Sequence, residues 1–105
     1  MKNPVGPILS LGDETDQIIA AIEDDNPNTE IEIIDRGSYV RIQGEDRLVL
    51  TEATLQSYLG SDYRIRSLEN LMSSFTGRAI TASDKITWQR KGTPKAVSTS
   101  EGASA

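Results

Sequence analysis

Carboxylate pairs, Ser/Lys arrangements and tyrosines are the catalytic options left to this 105-residue chain, because it contains no Cys and no His. Those two zeros remove a thiolate nucleophile, a Cys/His zinc site, a Cys-ligated iron–sulfur cluster, a Ser-His-Asp triad and a Glu-x-x-His di-iron site. Asp13 and Asp16 stand at i and i+3 and could share one face of a helix. General acid/base work, however, needs two carboxyls in unlike environments within a cleft, and capping the first helical turn already accounts for both. Asp24-Asp25-Asn26 has the residue types of a calcium loop but runs into Pro27-Asn28, without the glycine and the later bidentate Glu of an EF-hand. No G-x-x-x-x-G-K and no G-x-G-x-x-G is present, so nucleotide phosphate binding has no sequence support. Most small-enzyme chemistry is closed to this chain.

Charge narrows the partners further. The formal net charge is −5, which argues against a general binder of nucleic-acid backbones. Residues 13–35 hold nine carboxylates and no Lys or Arg, whereas residues 36–105 hold ten basic groups against seven acidic ones. The acidic end reads as a solvated helix face, and the basic half as the side that meets a partner. The longest purely aliphatic run, Ile18-Ile19-Ala20-Ala21-Ile22, is far short of the roughly 20 residues a membrane span needs, so a soluble cytoplasmic protein is expected.

The elements that must position any contact residues follow from hydrophobic period and punctuation. Residues 1–4 are expected to be flexible, 5–90 to form the folded domain, and 91–105, whose one sizeable apolar side chain is Val97, to form a disordered tail. Val5–Leu11 reads as an edge or entry strand, because Pro7 lacks a ladder donor. Asp13 is the expected N-cap of a first helix with an Ile18, Ile19, Ile22 stripe, stopped at Asn26-Pro27. Glu30–Ile33 and Tyr39–Gln43 alternate with period two, and a turn at Gly44-Glu45-Asp46 leads to Arg47–Leu50 as the third strand of a meander. Thr51 and Gly60 bracket a short second helix. Ser67 and Gly77 bracket a third, with Leu68, Leu71, Met72 and Phe75 at helical spacing. A hairpin of Arg78–Thr81 and Lys85–Gln89 ends the domain. The fold class is α+β: one compact domain of mainly antiparallel strands packed with about three helices, in the order β-α-β-β-β then α-α-β-β.

Two faces stand out as contact candidates. Tyr39 and Arg41 share the side of their strand that points away from Val40 and Ile42. On the third helix, an inward stripe leaves Asn70, Ser73 and Ser74 outward, a small uncharged surface that lets another backbone approach closely.

The segments Ile34-Asp35-Arg36-Gly37-Ser38-Tyr39-Val40-Arg41-Ile42, Leu48-Val49-Leu50-Thr51, Leu59-Gly60 and Met72-Ser73-Ser74-Phe75-Thr76-Gly77-Arg78-Ala79 together resemble the effector (coupling, regulatory) proteins of bacterial multicomponent di-iron monooxygenases. Asn3-Pro4-Val5-Gly6-Pro7-Ile8 is most similar to the toluene and alkene branch. The resemblance implies a non-catalytic protein with no cofactor and no metal of its own. Its partner would be the hydroxylase, within a system that includes a reductase and, in some cases, a Rieske ferredoxin. Docking over the buried di-iron centre would shift the hydroxylase's conformation and raise rate, coupling and specificity. The docking set expected on this basis is Asp35, Arg36, Tyr39, Arg41, Asn70, Ser73, Ser74, Phe75 and Arg78, presented by a chain that is monomeric when free. A small-ligand sensor domain is the alternative that the fold class leaves open.

Overall fold

The computed structural model describes residues 2–91. Among them the elements run β1 (Pro4–Ser10), α1 (Thr15–Asp25), β2 (Ile31–Asp35), β3 (Tyr39–Glu45), β4 (Arg47–Thr51), α2 (Glu52–Leu59), α3 (Ile65–Leu71), β5 (Met72–Thr76), β6 (Arg78–Thr81) and β7 (Lys85–Gln89). The strands form two antiparallel sheets, ordered β2-β3-β1-β5 and β4-β7-β6. The expected α+β class and element order hold, with one strand added. The expected tail lies outside the described residues apart from Lys91.

One apolar core joins the two sheets. Val5, Leu9, Val40 and Ile42 of the first meet Leu48, Leu50, Ile86 and Trp88 of the second, and Ile18, Ala21, Ile22, Leu55, Ile65 and Leu68 of the helices complete the cluster. Each is 3% exposed or less, and burying a side chain of this size fully contributes about 1.5–3 kcal/mol. Glycine lets the sheets approach. At Gly77, with φ +90, a Cβ would lie 2.6 Å from the Gln89 carbonyl oxygen and 2.8 Å from Val5 Cγ1.

The helix boundaries follow capping chemistry in part. Thr51 caps α2 as expected, its hydroxyl accepting from Thr54 N at 3.2 Å, and Gly60 ends that helix with φ 105. Asp13 does not cap α1. Instead Thr15, inside the first turn and buried, accepts from Gly12 N at 2.9 Å and donates to Ser10 O at 3.2 Å, tying the helix start to the end of β1.

Three expectations are corrected by long-range pairing. First, β1 is not an edge strand, because it lies between β3 and β5. Pro7 is tolerated there because the β1–β3 ladder breaks between the Val5–Gly44 and Ile8–Arg41 pairs. Second, β4 does not continue a meander. Asp46, at φ 67, is the one residue between β3 and β4, and it turns the chain into the other sheet, where β4 pairs with β7. Third, the third helix starts earlier and stops at Leu71, with Arg64 rather than Ser67 at its N-cap position. Met72–Thr76 is extended and pairs with β1 through Gly6–Thr76, Pro7–Phe75, Ile8–Ser74 and Leu9–Met72. Ser73 is the extra residue of a β-bulge at that register shift. Phe75 is accordingly 42% exposed rather than in the core, and Gly77 joins two strands rather than closing a helix.

Candidate docking surface

Register fixes which side chains share the outer face of the four-stranded sheet. Ile34 opposes Arg41, Arg41 opposes Ile8, and Ile8 opposes Ser74, so these four residues form one row across β2, β3, β1 and β5. Tyr39 and Ser10 oppose each other in the neighbouring row and are exposed. On this face Ser10, Tyr39 and Ser74 are exposed, and Ile8, Ile34 and Arg41 are half-buried.

Polar contacts order the face. The Arg41 guanidinium reaches over β1 and donates to Thr76 Oγ1 at 3.3 Å, linking β3 to β5 above the strand between them. Ser73 Oγ donates to Ile8 O at 3.2 Å and pins the bulge. Asp35 Oδ1 accepts from Gly37 N at 2.8 Å and Arg36 N donates to Tyr39 O at 2.9 Å, which shapes the tight β2–β3 turn. The face therefore combines half-buried isoleucines, small hydroxyls, one tyrosine and one tethered arginine. That mixture suits close protein contact.

The nine expected contact residues fall into three groups. Tyr39, Arg41, Ser73 and Ser74 line the sheet face or its β5 edge, with Asp35 and Arg36 at the turn that ends it. Phe75 and Arg78 lie around the corner at Gly77, where they border a hollow of about 590 Å³. Asn70 lies apart, in a hollow of about 800 Å³ between α3 and the β6–β7 turn. Ser73 and Ser74 are exposed as expected, but through strand geometry rather than helical period. Ile8, Ser10 and Ile34, which the expected set does not include, share the face. Alternation in β1 around buried Val5 and Leu9 would have placed Ile8 and Ser10 outward once that strand was known to be central.

The acidic segment is less uniformly solvated than its composition implies. Asp25 accepts from Thr51 N at 2.8 Å, Thr51 Oγ1 at 3.1 Å and Thr54 Oγ1 at 2.7 Å, holding the end of α1 against the start of α2. Asp24 accepts from the Tyr58 hydroxyl, and that hydrogen bond is the main cause pushing the phenol above its usual range. Tyr63 is also pushed up, first by burial and then by the nearby Glu14 charge. No group of three or more metal-ligating side chains comes together among the described residues, and none of their helices is long and apolar enough to cross a membrane.

The MmoB/DmpM family model matches residues 3–89. The effector subunit of the alkene monooxygenase system of Xanthobacter autotrophicus is 38% identical over 90 residues, covering 86% of this chain and 89% of that protein. A chain from the structure of the phenol hydroxylase–regulatory protein complex superposes with a TM-score of 0.70 at 23% identity, over 82% of this chain and 95% of that one. The soluble methane monooxygenase regulatory protein B gives a TM-score of 0.65 at 23% identity, over 87% and 67%. At that identity the two structures establish a shared fold.

Proposed function

The chain belongs to the MmoB/DmpM family, and we propose that it is the effector component of a multicomponent di-iron hydrocarbon monooxygenase, binding the hydroxylase and doing no chemistry itself. The observation that carries this reading is the 38% identity to an alkene monooxygenase effector subunit across most of both chains. The absence of Cys and His is in keeping with it, because the chain has no thiolate or imidazole to offer a metal.

A protein of this kind acts by binding one conformation of its partner more tightly than another. Converting a 1:99 mixture to 99:1 takes roughly 5.5 kcal/mol of differential affinity, within reach of a standard interface of about 1,600 Å². The row Ile34, Arg41, Ile8 and Ser74, with Tyr39 beside it and Asp35-Arg36 holding the adjacent turn, forms the centre of the contact, and the folded domain of residues 5–90 supplies it. Packing against this pre-ordered sheet would favour the hydroxylase conformation whose surface matches it.

The test is steady-state turnover of the purified cognate hydroxylase with its reductase, and a ferredoxin where the system has one, with and without this chain. Faster turnover and more product per NADH consumed are expected when it is present. Indifference of both quantities to its presence would overturn the reading.

A further inference from the structure

The three-stranded sheet carries several positive charges at the end nearest the β5–β6 corner. Arg47 on β4 and Arg78 on β6 both oppose Gln89 on β7, so they share a face and stand two strand spacings apart, about 10 Å. Lys91 follows β7 and borders, with Phe75 and Arg78, the hollow at the corner. All three cations are exposed, and none has an ion pair among the described residues. The nearby carboxylates are already engaged: Glu45 accepts from the backbone of Lys2 and Asn3 at 2.9 and 3.0 Å, and Asp46 is 3.8 Å from Arg90. In a chain with net charge −5, these cations are a local positive excess at one end of the sheet, and two of them, Arg78 and Lys91, border the exposed Phe75 ring.

We infer that this basic corner, where Arg78 and Lys91 border Phe75 and Arg47 stands two strands away on the same sheet end, receives carboxylates of the hydroxylase flanking an apolar side chain that rests on the ring. The inference builds on the effector reading. Two arguments select this occupant. The charge is complementary to an acidic protein segment, and the corner is continuous with the proposed contact face, because Thr76, which receives the Arg41 hydrogen bond, immediately precedes Gly77 and Arg78. The sheet face supplies close packing. The corner supplies attraction at a distance and therefore the salt dependence of association.

The experiment is calorimetric or fluorescence titration of the cognate hydroxylase with the wild type and with Arg47→Glu, Arg78→Glu, Lys91→Glu and Phe75→Ala, at low and at physiological ionic strength. An Asp16→Lys/Glu23→Lys variant on exposed α1 positions serves as the control. Each corner reversal should weaken binding about tenfold at low salt and less at higher salt, and Phe75→Ala should weaken it at both, while the α1 control binds like the wild type. If the wild type binds and the corner variants match its affinity and salt slope, the corner assignment is overturned and the effector reading stands. If the wild type fails to bind at all, both fall. A salt-sensitive dimer lost in the corner variants, with hydroxylase binding unchanged, would assign the corner to a second copy and also overturn the inference.

Discussion

Asn26 grips both backbone polar groups of Val49: its Oδ1 accepts from Val49 N at 3.0 Å and its Nδ2 donates to Val49 O at 2.7 Å. The same Nδ2 lies 2.7 Å from Ile22 O. Val49 sits on β4, the edge of the three-stranded sheet, so one side chain at the end of α1 occupies the position where another strand would pair. Asn26→Ala leaves those backbone groups without partners at a site only 8% exposed, and should cost about 2–3 kcal/mol in urea-induced unfolding with an unchanged m-value.

Gly77 and Gly37 share φ +90 but differ in surroundings, which separates backbone strain from steric conflict. A Cβ at Gly37 meets nothing within 4 Å, whereas at Gly77 it meets the Gln89 carbonyl and Val5. Gly37→Ala should cost about 1–2 kcal/mol from the left-handed conformation alone. Gly77→Ala should cost at least about 1 kcal/mol more, measured as the difference between the two melting curves.

Trp88, the one tryptophan, is 0% exposed, and its Nε1 has no hydrogen-bond partner among the described residues. Its emission should be blue-shifted in the native state and move red on unfolding. Trp88→Ala should lose about 3–5 kcal/mol. Trp88→Phe should lose less than half of that, because the cavity is smaller and the unsatisfied donor disappears. Circular dichroism, which does not depend on the indole, provides the comparison.

Tyr58 and Tyr63 both titrate above the ordinary 10.0 in the folded chain. A phenol that holds its proton more tightly when folded contributes stability in full below the unfolded pKa and loses it as pH rises through the folded one. Unfolding free energy should therefore fall as pH climbs above about 10. Tyr58→Phe and Tyr63→Phe should each make that decline shallower. At neutral pH, Tyr63→Phe should leave stability unchanged or raise it, since among the described residues no hydrogen bond of ordinary geometry reaches the buried Tyr63 hydroxyl.

Ser74 occupies the β5 end of the Ile34, Arg41, Ile8 row and is exposed. Ser74→Trp should fold with a wild-type melting temperature and weaken hydroxylase activation at least about tenfold, because a bulky ring holds the partner's backbone away from the sheet. Full activation by this variant, measured as product per NADH, would remove the sheet face from the contact.

What the sequence disclosed and what it withheld divide along range. Thr51 and Gly60 mark α2 by chemistry confined to one helical turn, and Tyr39–Gln43 announces its two faces by alternation; both were legible. Leu68, Leu71, Met72 and Phe75 fit a helical period, yet the helix ends after Leu71, because pairing of Met72–Thr76 with β1 satisfies more backbone groups than another helical turn could. Ser73, Ser74 and Thr76 are weak helix formers, and that was the available local signal. The passage of β4 into the second sheet left a fainter trace, since its partner Lys85–Gln89 lies more than thirty residues downstream. The site residues inherit this division. Tyr39 and Arg41 were placed on a common face from their strand alone, whereas Ser74 joins them through register, and Asn70, expected beside Ser73, is carried elsewhere by the helix that holds it.

Asp46 and Gly77 each form a crossing one residue long between the sheets, from β3 to β4 and from β5 to β6. Neither crossing has slack, so an inserted or deleted residue would rotate every following side chain to the opposite face of its strand. Length variation among relatives should therefore gather in the α1–β2, α2–α3 and β6–β7 connections, where the chain turns at the surface, and be missing at these two corners. The pair divides the sequence into segments that can change length during descent and segments that evolution must copy residue for residue in number, whatever their composition becomes.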